Sequence, residues 1–419
     1  MAQPAVGVYI SVPFCKAKCT YCNFASGVFG AERMDGYVQR VCGEIAATRE
    51  RVAELVKMAE TAEFPARADS VYLGGGTPSL LGAEQLRRLF AALRAEFEIT
   101  KDAEVTMECA PGQLREETLE EMLRQGMNRV SFGVQSFVDR EAAAVGRLHT
   151  RKMCLTEIGR LRAAGVGNIN VDLIAGLPRQ TAASWRESVE TAIESEVPHV
   201  SVYMLEVDEE SRLGREMLGA GKKYGASEVP SEDEIADWYG AACEWLEAAG
   251  VKQYEISNFA REGHASRHNM KYWRREPYVG YGLDAHSMLR TGEGAVRWAN
   301  WDDLERYEVQ GSRFKAGAKG EGLVQLGSDR APEPEIELVG NEKAFEEALF
   351  LGLRMNVGVD LEALRAEFGE GLVRGATDAM EDAEEAGLAE RDGSWLRLTA
   401  RGRMASNEVF SRLLVGAVG

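Results

Sequence analysis

The sequence predicts an α/β fold: a partial (β/α)6 barrel of the TIM-like kind, followed by a small winged-helix-like α+β domain. Three observations carry this. Strand and helix patterns alternate six times over residues 1–250. A polar residue or glycine run stands at the C-terminal end of most of the strands. Beyond a stretch rich in Gly, Lys, Glu, Ser and Pro, helical periodicity returns from residue 341 to the end. Such alternation gives a parallel sheet, and barrels of that kind carry reactive groups at the C-terminal edge of their strands.

Taken in order, residues 6–12 alternate apolar side chains as a short strand. Residues 37–59 place Val38, Val41, Ile45, Val52, Leu55 and Val56 at helical spacing. Residues 70–73 form a strand running into Gly74-Gly75-Gly76-Thr77-Pro78. Residues 84–97 are helical, with Leu86, Leu89, Phe90 and Leu93 on one face. The pairs then repeat: strand 103–108 and helix 116–125, strand 129–134 and helix 152–164, strand 168–174 and helix 183–194, strand 199–205 and helix 232–249. Gly126, Gly165 and Gly250 follow three of these helices, as a C-terminal cap requires. Six units are too few for a closed eightfold barrel.

Directly after the first strand come Cys15, Cys19 and Cys22, with three residues in the first gap and two in the second. One loop at this spacing directs three sulfurs at one soft metal centre. Iron–sulfur clusters are held by cysteine thiolates, and three ligands on four irons leave one iron open. Structural zinc wants four closed ligands, and no His or fourth Cys lies nearby. A disulfide would leave one thiol over. Gly74 to Gly76 let a ligand approach the backbone, although a lone glycine run is as often a turn. Glu108, at a strand end, is costly to bury without a partner.

Tyr9-Ile10-Ser11-Val12-Pro13-Phe14-Cys15 through Cys22-Asn23-Phe24 resembles the radical S-adenosylmethionine (SAM) superfamily. Within it, the run is similar to the branch of oxygen-independent coproporphyrinogen III oxidases and HemW-type haem chaperones. The resemblance implies a 4Fe–4S cluster on Cys15, Cys19 and Cys22, with SAM on the open iron. It further implies SAM contacts from Tyr9, Gly75, Gly76, Thr77, Glu108, Gln135, Arg147 and Asp172. Each would read as structural alone; their order and spacing as a set favour function.

His268-Asn269-Met270-Lys271-Tyr272-Trp273 resembles a stretch typical of the chaperones, which makes His268 a candidate haem ligand. A lone His is ordinarily packed beneath aromatic neighbours. Residues 278–287 resemble a loop walling the SAM pocket, with Leu283-Asp284 in place of small residues. The oxidases carry a further Cys where Phe24 stands and a His where Ser11 stands. The Phe24 departure favours a chaperone that carries haem to acceptor proteins and draws on an electron donor. An oxidase, or a SAM-radical methyltransferase or ring-opening enzyme, is the alternative.

A chain of 419 residues exceeds one ordinary domain. The expected units are 1–250 (barrel), 251–310 (extension with the His268 motif and pocket loop), 311–340 (linker) and 341–419. A net charge of -18 argues against nucleic acid and anionic lipid as bulk partners. Residues 341–419 hold nine Lys and Arg against fifteen Asp and Glu, so the winged-helix shape does not imply DNA binding. The absence of a leader or an apolar run near ~20 residues, and an odd cysteine count, fit the cytoplasm, any membrane contact being peripheral and made through partners.

Overall fold

The computed structural model describes residues 5–59, 64–292, 294–310 and 336–415. Strand β1 (Val6–Val12) leads through the cysteine loop to α1 (Arg33–Ala46) and α2 (Thr48–Ala59). Then come β2 (Arg67–Gly75), α3 (Ala83–Glu96), β3 (Glu98–Cys109), α4 (Glu116–Arg124), β4 (Arg129–Gln135), α5 (Asp139–Ala144) and α6 (Arg151–Ala163). β5 (Asn168–Ala175), α7 (Ala182–Glu194), β6 (His199–Met204), α8 (Arg212–Leu218) and α9 (Glu232–Ala248) complete the repeating part. Strands β1 to β6 pair in sequence order, all parallel.

Period-two alternation divides the two faces of this sheet. Val8, Val71, Val105, Val130, Val171 and Val200 point outward into one apolar core, which helix residues such as Leu86, Leu119, Ile158 and Trp185 complete. Burying each such side chain is worth about 1.5–3 kcal/mol. The alternate positions on the inner face are polar: Tyr9, Tyr72, Thr106, Ser131, Asn170 and Ser201.

Strands within residues 251–310 extend the sheet at both edges. β7 (Lys252–Glu255) and β8 (Asn258–Ala260) turn back antiparallel beside β6. After α10 (Arg267–Trp273), β9 (Tyr278–Tyr281) returns to the far edge and pairs parallel to β1. β10 (His286–Arg290) and β11 (Ala295–Ala299) follow antiparallel, and α11 (Leu304–Gln310) packs near α1. The expected linker lies outside the described residues over 311–335. Its last part, Ile336–Val339, is a strand, β12, paired with β11. Among the described residues the sheet has twelve strands, in the order β12-β11-β10-β9-β1-β2-β3-β4-β5-β6-β8-β7.

The C-terminal unit holds α12 (Asn341–Arg354), β13 (Val359–Asp360), α13 (Leu361–Phe368), α14 (Glu370–Glu385), β14 (Ala389–Asp392), β15 (Trp395–Leu398), α15 (Ala400–Met404) and α16 (Ser406–Val415). Its core of Phe345, Leu349, Leu353, Phe368 and Leu396 also takes in Met288, Ala295 and Val339 from the large sheet. Backbone bonds tie the units: Ile256 N to Arg354 O at 3.1 Å and Asn356 N to Tyr254 O at 3.0 Å.

One expected helix is broken. Residues 37–59 divide at Ala47, because Thr48 Oγ1 donates to Ile45 O at 2.6 Å and meets Tyr281 OH at 2.6 Å. A side-chain hydroxyl here competes with the helix's own backbone bonds.

Candidate metal and cofactor site

The cysteine loop is pinned at both ends. Cys15 N donates to Gly27 O at 2.9 Å, and Gly27 N to Pro13 O at 2.9 Å. The glycine turn after β2 locks against it: Gly76 N donates to Val12 O and Thr77 N to Phe14 O, both at 2.8 Å. A Cβ on Gly76 would stand 2.8 Å from Val12 O and 2.9 Å from Phe14 O, so the approach requires glycine. Gly75 has φ of 101°, which suits it for the same reason.

All seven cysteines are unpaired, so no disulfide consumes the loop. Each sulfur has its own neighbour. Thr77 Oγ1 lies 3.8 Å from Cys15 Sγ, Arg147 Nη1 3.4 Å from Cys19 Sγ, and Ser26 Oγ 3.9 Å from Cys22 Sγ. Burial pushes the Cys15 thiol up, with Thr77 acting against it. Among the described residues no three His, Cys, Asp or Glu side chains converge as a single ion would need. Three thiolates on one loop match the cysteine ligation of iron–sulfur clusters. The donor set fits such a cluster: three free thiols, with a guanidinium and hydroxyls beside the sulfurs.

Glu108, at the end of β3, reaches the glycine turn. Its carboxylate accepts from Gly75 N–H at 3.1 Å and from Tyr72 OH at 2.9 Å. Burial pushes its pKa up to about 7. Asp172 accepts from Asn170 Nδ2 at 2.7 Å and Ser131 Oγ at 3.4 Å, and burial raises it also. Gln135 holds φ of 69° at the bulge ending β4, a conformation costing a non-glycine residue about 1–2 kcal/mol. A Cβ on Gly133 would meet Arg147 Nη2 at 2.9 Å and Gln135 Nε2 at 3.0 Å, so either side chain would have to shift to admit it.

Tyr9, Ser11, Phe24, Ser26, Gly75 and His286 line a cavity of about 280 Å³ beside the cysteine loop, with Tyr272 and Asp284. Phe24 is 63% exposed there. His268 does not line this cavity but lies buried on α10 directly behind Tyr272, which does. Its Nδ1 meets Ser70 Oγ and its Nε2 meets Tyr272 OH, each at 2.9 Å. Burial lowers its pKa to about 3, so the ring is neutral. Both nitrogens are engaged, and taking up iron requires the imidazole to release one partner.

Sequence reasoning missed the segment after β6. Asp208 Oδ2 accepts from Asn23 Nδ2 at 2.5 Å, Arg212 donates to Lys18 O, and Leu213 N donates to Thr20 O at 2.8 Å. This segment straps the cysteine loop from ~190 residues away in the chain. No local pattern announces it. Tyr72 was reachable from the period-two pattern, since it shares the inner face with Gly74.

Residues 9–192 match the radical SAM superfamily, and residues 340–405 match the HemN C-terminal domain. Fold and three-cysteine loop together define a radical SAM protein, a class that implies a 4Fe–4S cluster and SAM. The chain is 31% identical over 408 residues to "Heme chaperone HemW" of Bacillus subtilis, covering 97% of this chain and 98% of that protein. The Synechocystis protein of the same name is 34% identical over 360 residues, 84% and 78% of the two chains. The chain belongs to the HemW family. Its backbone is similar to that of Escherichia coli coproporphyrinogen III oxidase, HemN, with a TM-score of 0.76 at 21% identity over 98% of this chain and 90% of that one. No helix among the described residues is long and apolar enough to cross a membrane.

Proposed function

We propose that this protein is a radical SAM haem chaperone that binds haem and passes it to acceptor proteins. The observation that carries the reading is identity along nearly the whole chain to proteins named haem chaperones. Phe24, where the oxidases have a cysteine, supports it.

In this reading Cys15, Cys19 and Cys22 hold the cluster. When bound, it supplies an electron for reductive cleavage of the SAM sulfur–carbon bond, taken from a separate donor. The chain's own residues bind and orient. The Gly75–Gly76 backbone and Thr77 form one wall of the SAM site, and Glu108 presents carboxylate oxygens beside it. Gln135, Arg147, Asp172 and Tyr9 supply further side chains for binding SAM. Arg147 places a positive charge beside the Cys19 sulfur.

For haem, the imidazole that lines the cavity is His286, whose side chain is 66% exposed with Nε2 3.7 Å from Asp284. A carboxylate beside an imidazole is a common orienting arrangement for a metal ligand. His268 ligates only if it gives up Ser70 or Tyr272.

Haem added to anaerobically purified protein, with and without cluster, tests the reading. A Soret band with near-stoichiometric haem is expected, lost in His286→Ala and kept in His268→Ala. Rapid decarboxylation of coproporphyrinogen III in the presence of SAM and reductant would instead establish an oxidase.

A further inference from the structure

Arg129 begins β4 and is 1% exposed. Its neighbours Val130 and Phe132 lie in the outer core, so Arg129 and Ser131 face inward. Its side chain makes no hydrogen bond or ion pair among the described residues, and its Nε is buried without a partner. Thr106 and Asn168 flank it in register on β3 and β5. Thr106 Oγ1 and Asn168 Oδ1 are likewise buried without partners. A buried guanidinium with no nearby counter-charge is expensive. Some charge on the inner face must compensate it.

Four acids share that face, and one of them, Glu255 on β7, is paired with Arg354 at 3.4 Å. Glu104 is already engaged at the floor: it accepts from Arg267 N and His268 N, both at 3.0 Å, and from Ser266 Oγ at 3.3 Å. The remaining two are Glu108 and Asp172. Ser131, one inward step above Arg129, stands in register with Glu108 and donates to Asp172. Arg129 therefore lies one layer beneath both carboxylates.

We propose that Arg129 is a positioning residue: a buried positive charge under the pocket floor that keeps Glu108 available as a carboxylate to SAM. The proposal rests on the SAM reading of Glu108. Around Glu108, Tyr9 projects from β1, Tyr72 from β2, Tyr203 from β6 and Tyr272 from α10. Burial raises all four phenols, so they stay neutral at working pH. The ionic neighbours are Asp172, which disfavours the Glu108 anion, and Arg129, which favours it.

The test uses full-length protein. Infrared difference spectra between wild type and Glu108→Gln, recorded against pH without SAM, isolate the Glu108 carboxyl band. Its midpoint is expected near neutrality, and about one pH unit higher in the Arg129→Met background. An unchanged midpoint overturns the proposal. Arg129→Lys, which keeps a cation, is expected to hold the midpoint closer to wild type, and serves if the Met variant does not fold; a midpoint there as high as an uncharged floor would give also overturns it. Equilibrium dialysis with SAM on cluster-loaded protein gives the second readout. Arg129→Met is expected to bind about tenfold more weakly at pH 7, recovering as pH rises. A loss equal at every pH would mark Arg129 as a packing residue only. If Glu108→Gln binds SAM as wild type does, the SAM reading of Glu108 fails while the infrared midpoint still decides the role of Arg129.

Discussion

Arg147 Nη1 donates to Cys19 Sγ at 3.4 Å although 128 residues separate the two in sequence. The other terminal nitrogen of the same guanidinium donates to Gly133 O. The residue thus fastens the end of β4 to the cysteine loop and leaves a positive charge against one sulfur. A cation in that position stabilises added negative charge on a thiolate-held cluster.

Arg147→Gln is therefore expected to lower the cluster's midpoint potential, by an amount on the order of tens of millivolts, with Arg147→Lys recovering part of it. An anaerobic redox titration followed by EPR measures this. An unchanged potential would show that the contact serves packing alone.

Gly76→Ala is expected to cost about 2–3 kcal/mol of stability, because the added methyl meets backbone oxygens of β1 and the cysteine loop that cannot turn aside. Urea unfolding measures the loss, and iron content after reconstitution is expected to fall with it. Wild-type stability in the variant would mean that the turn does not lock against the loop.

Glu108 carries a folded pKa near 7, above its usual value. An acid so raised holds its proton longer in the folded state. It therefore weakens the fold progressively as pH rises from its unfolded value to about 7, and fully above that. Glu108→Gln is expected to match wild type near pH 4.5 and to exceed it by about 2 kcal/mol at pH 8, while losing SAM affinity. Denaturation at the two pH values checks the sign; a gain confined to acid pH would contradict it.

Arg354 lies 3.4 Å from the buried Glu255 and 4.4 Å from the centroid of the Trp273 ring. Arg354→Ala leaves that carboxylate unpaired at the joint between the sheet and the C-terminal unit. The expected cost is about 2–4 kcal/mol. Burial raises the Glu255 pKa and Arg354 opposes the rise, so the deficit is expected to be larger at pH 7.5 than at pH 5. Equal deficits would remove the charge from the explanation.

The repeating half of the fold was legible because its signals are local. Period-two strands and one-faced helices need only neighbouring residues, and the triad spacing of Cys15, Cys19 and Cys22 sits in one loop. What could not be read was set by distant partners. β9 joins β1 in parallel across ~270 residues, a pairing that no local pattern in residues 251–310 shows. The break at Ala47 depends on Tyr281, and the strap over the cysteine loop on Asp208 and Arg212. His268 stood out by motif, but the sequence gives no sign of Ser70 and Tyr272 closing on both its nitrogens.

The most direct measurement is iron content and EPR of the anaerobically reconstituted, reduced protein, with and without SAM. About four irons per chain are expected, with a signal that changes when SAM is added, and both are expected to be lost in Cys19→Ala. A Cys19→Ala protein that keeps its full iron and the same SAM-sensitive signal would contradict that expectation.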